Sequence, residues 1–514
     1  MQRIWAPNLL LCIGLGAICT VFYLFSYNSG YGYDALEYLV IGRSMAEGVP
    51  FYTYLPSKSP AIYYLVEWLY KSGIGFDHRS LAGVITAIFA LTVAATYLIA
   101  RRWFSDRAAV AIAGLTALAA FFMELNFLQP TALFYVCGLI AFDALLRFEK
   151  SRRQWLLFAA GAALGIGIVI KSSAAFYGLA AGHFLILTGT RDHLSFAWLV
   201  RCGLSLLAGV LLVLGIVFGY YFSVGSAHAF IDWTFVFPFA HYPSSATYLS
   251  KAYTKLLWVN VFILASAPLL FRQRTRTAFW EDRPAVLALL FGACAHLALL
   301  KTQASHYFFP GTPFLFMFAV SVYEKRLGGI EISKTLAIKT VAIGTAAAVA
   351  FVASITLYRP DAMQRLITFK DFSRQERTVR DFVTALVPRD RYLLVTGSEL
   401  ASTWTYWVSH RYPPPPFVNM DVKTIWMLRH QPTEVFKVLD DPQLLLVQFD
   451  PLQLQKPVLE DVFGNLPSDR DVMREYLSRI KLRFEPLQVV DSPATFWRRT
   501  SLGPSASAAR AASR

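Results

Sequence analysis

Residues 81–107 read LAGVITAIFALTVAATYLIARRWFSDR, an uncharged, largely apolar run of twenty residues followed by Arg101, Arg102 and Arg107. A helix of that length rises about 30 Å, the thickness of a bilayer's hydrocarbon core. The arginines mark the end held in the cytoplasm, because Lys and Arg in short loops are retained on that side. This stretch alone makes the chain a membrane protein and assigns one of its loops.

On either side lie further apolar runs, near 8–27, 108–123, 131–147, 155–170, 174–189, 196–222, 255–271, 284–300, 308–322 and 335–357. They predict an all-α polytopic domain over residues 1–358 with about eleven transmembrane helices. Composition agrees, since only 16% of the chain is charged against about 25% in soluble domains. The net charge of +15 does not indicate nucleic acid. Its arginines and lysines gather in short loops such as RFEKSRRQ, TRDH, RQRTRTAFWEDRP and YEKRLGGIEISK. With the N-terminus inside, all of these loops fall in the cytoplasm. The loops 28–80 and 223–254, and everything after Tyr358, then face outside.

Cys12, Cys19, Cys137, Cys202 and Cys294 all lie within apolar runs, so neither a disulfide framework nor a thiolate metal site is indicated. The first run lacks a small-residue cleavage site and reads as a retained anchor. The expected location is the inner, cytoplasmic membrane, multi-pass.

After residue 358 the composition turns soluble. RYLLVTGSE and QLLLVQFDP read as short buried strands, and SDRDVMREYLSRI has helical spacing. A small extracytoplasmic α/β domain is expected over 359–500, with a low-complexity, disordered tail at 501–514.

The chemistry concentrates in the first outer loop, GYGYDALEYLVIGRSMAEGVPFYTYLPSKSPAIYYLVEWLYKSGIGFDHRS, residues 30–80. Segments 34–46 and 60–71 are amphipathic and interrupted by Gly and Pro, as expected of helices lying along a membrane surface. The order of its polar residues is Asp34, Tyr38, Gly48-Val49-Pro50-Phe51-Tyr52, then Lys58-Ser59-Pro60 with Tyr63 and Tyr64. Further on, GAALGIGIVIKSS ends a glycine-rich helix in Lys171, and KTQASHYFFPGTPF places His306-Tyr307 ahead of Pro310.

This pattern resembles the membrane glycosyltransferases of C-type fold, in particular the dolichyl-phosphate-mannose protein mannosyltransferases and the lipid A aminoarabinose transferases. The resemblance spans roughly residues 1–325. It implies an enzyme that moves a hexosyl or pentosyl group, with inversion, from a polyprenyl-phosphate donor to an extracytoplasmic lipid, polysaccharide or protein. It also implies Asp34 as catalytic base, Lys58, Arg79 and Lys171 as cations for the donor phosphate, and Glu37, Tyr52, Tyr63, His306 and Tyr307 as substrate-binding residues. Where relatives often carry a second acid, this chain has Ala35, and Gln129 with Glu124 upstream. A divalent metal ion is the one cofactor the resemblance leaves open, and no ligand set is assigned to it.

The residue types suit that chemistry without the family. A carboxylate at the lipid–water boundary can take a proton from an acceptor hydroxyl. Lys and Arg can stabilise charge growing on a phosphate oxygen where water is scarce. Each residue also has a plainer reading. Asp34 suits a helix N-cap, Lys58 and Arg79 can snorkel to headgroups, and His306-Tyr307 can be an interfacial pair. Lys171 is the harder one to explain away, since a lone lysine at the outer end of an apolar helix is costly without a partner. No nucleotide-binding loop, GxSxG, HExxH or CxxC motif occurs. The Gly165-x-Gly167 pair lies inside a helix and reads as helix packing. A transporter or flippase for a lipid-linked substrate is the alternative. It predicts half-to-half repeats and ionisable residues at mid-membrane depth, whereas the chain shows no such repeat and gathers its charges at the outer surface.

Overall fold

The computed structural model describes residues 5–237 (30, 32, 55, 57, 76 and 124 apart), 281–297, 305–327, 372–416 (397 and 398 apart), 427, 431–449, 475–487 (477 apart) and 495–500. In chain order its main helices begin with α1 (Trp5–Ser29), α2 (Tyr33–Ala46), α3 (Ala61–Lys71), α4 (His78–Trp103), α5 (Asp106–Phe122) and α6 (Pro130–Ser151). There follow α7 (Gln154–Ile170), α8 (Ala175–Arg191), α9 (Phe196–Ser223), α10 (Arg283–His296) and α11 (Thr312–Leu327). The C-terminal part adds α12 (Phe372–Leu386), β1 (Tyr392–Thr396), α13 (Glu399–Ser409), α14 (Pro432–Asp440), β2 (Leu444–Phe449), β3 (Phe484–Leu487) and β4 (Thr495–Arg499).

These elements form two compact units. The first holds the chain up to Gly30, Phe76–Ala227 and the described parts of 244–370; the second holds Tyr31–Gly75 with the described parts of 228–243 and 371–514.

In the first unit, every apolar run that falls among the described residues is a helix. Side chains start several of them: Asp77 accepts from the Ser80 amide at 2.7 Å, and Ser105 and Ser195 cap α5 and α9 in the same way. Helices α4, α6 and α9 are long and apolar enough to cross a membrane, while α7, α10 and the 312–324 part of α11 are apolar but shorter. The runs at 255–271 and 335–357, Glu124 and the tail 501–514 lie outside the described residues.

Helices α7 and α9 approach backbone to backbone. A Cβ on Gly161 would lie 1.9 Å from the Leu206 carbonyl oxygen, and one on Gly209 would lie 2.1 Å from that of Phe158. Gly165 faces Val210 and Val213, and Gly167 faces Ala174 and Cys137. The glycines of this helix therefore serve packing, as their placement suggests.

In the second unit, both segments expected to be amphipathic helices are helical, as α2 and α3, but residues 35–45 of α2 are all buried, so it shows no exposed polar face; its charged Glu37 and Arg43 are satisfied inside. The two helices meet at Gly42, where a Cβ would stand 2.5 Å from Val66 Cγ1. The two expected strands are β1 and β2, which pair in parallel within a four-stranded sheet of order β1-β2-β4-β3. The other pairings are antiparallel, and β3 contains Pro486. Leu394, Val435, Phe436, Leu439, Leu444, Val447, Ile480 and Phe484 form its core. Along β1, the Leu393 amide donates to the Tyr412 carbonyl at 3.1 Å and the Val395 amide to the Tyr406 hydroxyl at 2.6 Å. The sequence reading counts loop 28–80 with the transmembrane domain; in the structure its residues 31–75 pack with the C-terminal residues. The reason is the set of long-range contacts that α2 makes with α13, described below. In the second loop, a short helix (Ala227–Ile231) leads into a π turn (Asp232–Val236), and 238–254 lie outside the described residues.

Candidate active site

Asp34 is the second residue of α2, in the first turn, where a negative charge is favoured by the helix dipole. Lys58 reaches it from the loop before α3, with Nζ 3.3 Å from Oδ1, and both side chains are mostly buried, at 16% and 11% exposure. One turn further along α2, Glu37 is buried and accepts a hydrogen bond from the Tyr63 hydroxyl. That hydroxyl in turn accepts from the Lys58 backbone amide at 3.2 Å. Two acids three residues apart on one helix are thus tied to one lysine of the loop that follows and one tyrosine of α3. Four of the nine residues singled out in the sequence, Asp34, Glu37, Lys58 and Tyr63, stand in one network.

Aromatic rings wall this network. Tyr38 packs edge-on against Tyr63 at 5.3 Å, and Phe51 lies 5.1 Å from Tyr63 and 4.6 Å from Tyr52. Phe51–Thr53 form a 3₁₀ turn after Pro50, and Gly48 supplies the left-handed backbone (φ 96°) that lets the chain reverse there. Burial, and after it the charge of Asp34, pushes the Tyr38 hydroxyl well above the ordinary phenol range. Burial raises the Tyr52 hydroxyl too, a hydrogen bond with Thr234 opposing it. Both stay protonated at any working pH.

The first unit holds a separate group. Lys171 ends α7 in extended conformation (φ −159°, ψ 122°), and its Nζ lies 3.4 Å from the centroid of the Tyr307 ring. His306 is buried and its ring lies 4.6 Å from that of Tyr307, within the turn Ser305–Tyr307. Lys171 is 6% exposed. Its cation is therefore held against an aromatic face in a place little reached by water, which strengthens its pull on an anion. Arg79 is exposed in the first turn of α4, and among the described residues it makes no hydrogen bond or ion pair with Lys171, His306 or Tyr307.

Among the described residues no group of three or more His, Cys, Asp and Glu could hold a metal ion. Asp34 and Glu37 face a lysine and a tyrosine instead, a donor set that does not fit a bridging cation.

Two further residues of α2 stand out beside the predicted set. Tyr38 is wholly buried on α2, one turn from Asp34, and Arg43 is wholly buried on the same helix. The signal for Arg43 was present, since it is the lone basic residue in the largely apolar stretch 35–46, where only Glu37 is otherwise charged.

Comparison with known proteins falls on one group. Residues 57–224 match the family model described as dolichyl-phosphate-mannose-protein mannosyltransferase. No match is found among curated proteins. Among solved structures, ArnT from Cupriavidus metallidurans bound to undecaprenyl phosphate superposes with a TM-score of 0.60 at 16% identity, covering 96% of this chain and 98% of that one. Its apo form gives 0.59 at 16% identity with the same coverage. The oligosaccharyltransferase AglB from Archaeoglobus fulgidus, in complex with an inhibitory peptide and a dolichol-phosphate, gives 0.50 at 12% identity over 95% of this chain and 74% of that one.

Proposed function

The chain has the fold of the C-type membrane glycosyltransferases, and from that premise we propose that it transfers a sugar from a polyprenyl phosphate to an acceptor outside the cytoplasmic membrane. The observation that carries the reading is the ion pair of Asp34 with Lys58, drawn together at one end of α2 and walled by aromatic rings. The fold likeness to proteins solved with undecaprenyl phosphate and with a dolichol-phosphate supports the donor class.

In this reading Asp34 is the base. An acceptor hydroxyl attacks the anomeric carbon, its proton passes to an Asp34 oxygen, and the bond from that carbon to the phosphate oxygen breaks, releasing the polyprenyl phosphate. A single displacement inverts the anomeric centre. Lys58 links the two partners: a donor phosphate competes with Asp34 for its ammonium, so donor arrival both neutralises the leaving group and frees the carboxylate. Glu37, held by Tyr63, fixes the loop that carries Lys58, and Tyr52 lies along the same wall. Lys171, with His306 and Tyr307, is the phosphate-binding group proposed within the first unit, and Arg79 is an outlying cation.

Transfer from a radiolabelled polyprenyl-phosphate sugar in proteoliposomes, with donor binding measured in parallel, tests the assignment. Asp34→Asn should lose about 10²–10⁴-fold in rate, the contribution of a general base, while keeping donor affinity. Asp34 lies inside the first turn of α2 and not at its N-cap, and an amide of nearly the same shape cannot take the proton, so a variant retaining more than about a tenth of the rate would rule the base role out. Lys171→Met should show the reverse split, with donor binding weakened by about 1.5–3 kcal/mol, the worth of a hydrogen bond to a charged group. Unchanged donor affinity in a correctly inserted variant would remove Lys171 from the phosphate site.

A further inference from the structure

Arg43 lies in the last turn of α2, nine residues beyond Asp34, and is 0% exposed. Its Nη2 donates to the Tyr406 carbonyl at 3.0 Å, Nη1 to the Trp407 carbonyl at 3.0 Å, and Nε to the Tyr412 hydroxyl at 3.2 Å. Nη1 also stands 3.2 Å from His410 Nδ1. The guanidinium carbon lies 4.8 Å from the Trp407 ring centroid and 5.1 Å from that of Tyr412. The Tyr412 hydroxyl itself donates to Glu47 Oε2 at 2.6 Å.

Tyr406 and Trp407 contribute two of the last four carbonyls of α13, which have no partner within their helix and form the negative end of its dipole. Arg43 therefore caps a helix that is remote in sequence. Among the described residues no carboxylate lies within ion-pair distance of it, so carbonyl dipoles, two ring faces and one imidazole hold the charge. A guanidinium can only donate, so His410 must present a bare Nδ1 and stay neutral. Burial, and then the charges of Arg43, Arg380, Arg389 and Arg411, hold it down to about 4.

We infer that Arg43 is a positioning residue through which the C-terminal domain sets the rotation of the helix bearing Asp34. The inference rests on Asp34 acting as base. A carboxylate about 5–6 Å from a helix axis moves about 1 Å when the helix turns by about ten degrees. A displacement of about 1 Å at a reacting group can cost on the order of 10²-fold. A grip on the last turn of α2 thus controls the geometry of its first, and gives the C-terminal domain a part in the reaction without touching substrate.

The test alters the far side of the grip. His410 is exposed and has a left-handed backbone (φ 52°), so His410→Lys leaves the C-terminal core alone while putting an ammonium where Arg43 needs an acceptor. His410→Asn keeps an acceptor close to the Nδ1 position and tolerates that φ. We expect His410→Lys to lower kcat by about 10- to 100-fold with the donor KM changed by no more than about threefold, and His410→Asn to stay near wild type. Hydrogen–deuterium exchange should quicken in residues 33–46 of His410→Lys and stay unchanged in 78–103. Tyr412→Phe, which removes the link to Arg43 Nε and Glu47 but keeps the ring, should move both readouts the same way by less. Equal losses in His410→Asn and His410→Lys, or faster exchange in α2 with unchanged kcat, would overturn the inference. The exchange measurement needs no transfer, so it separates a failure here from a failure of Asp34 as base.

Discussion

Protonating His410 would set a second cation 3.2 Å from the Arg43 guanidinium, and this residue therefore links stability to pH. Its folded value of about 4 lies below the ordinary value near 6.5 expected when unfolded. Between those values the unfolded chain binds more protons, so stability falls as pH drops from about 6.5 to about 4 and changes no further below. The melting temperature of the purified protein should accordingly drop between pH 7 and pH 5, and less steeply in His410→Asn. Parallel pH profiles for the two proteins would show that His410 is not the linked group. The residue scale also shows what a sequence can reveal of a site. Asp34, Glu37, Lys58 and Tyr63 share one loop, so their proximity could be read from order and chemistry. The partners of Arg43 lie 363 to 369 positions away, and nothing local distinguishes their carbonyls from any others.

At the scale of elements, hydropathy located the described helices of the first unit because each contains a continuous apolar run; α4, α6 and α9 are long enough to cross a membrane, while α7, α10 and the 312–324 part of α11 are shorter. Ends were less legible: α11 starts at Thr312, four residues after the apolar run, because Pro310 and Gly311 follow the Ser305–Tyr307 turn. The contact between α7 and α9 yields a sharp prediction. Gly161→Ala puts a methyl group 1.9 Å from a carbonyl oxygen, where relief requires the two backbones to part. It should destabilise by at least about 1–3 kcal/mol, the usual cost of overpacking. Gly215→Ala, in α9 with nothing within 4 Å of its new Cβ, should be neutral or stabilise by up to about 1 kcal/mol through helix propensity. Thermal unfolding in detergent distinguishes them, and equal melting temperatures would mean that α7 and α9 are not in backbone contact.

For the whole molecule, basic loops predict one sidedness. In a variant lacking the five native cysteines, Ser72→Cys and Asp390→Cys should react with an impermeant maleimide from outside, while Ser151→Cys should react only once the membrane is opened. Protection of Asp390→Cys in intact cells would reverse the orientation. Hydropathy could assign residues to sides but could not reveal that 31–75 and the C-terminal residues form one compact unit, because that grouping depends on hydrogen bonds between distant segments. The sheet of this unit has one further property. Along β1 the outward amides of Leu393 and Val395 are already taken by Tyr412 and Tyr406. At the opposite edge, the Thr500 amide bonds the Arg483 carbonyl, so in the antiparallel register residues 484 and 486 point their amide positions outward. One of these is Pro486, which has no proton to offer. Each border among the described residues thus offers fewer amides than a bare edge strand would, and a strand from another polypeptide finds less to pair with, a guard against edge-to-edge aggregation.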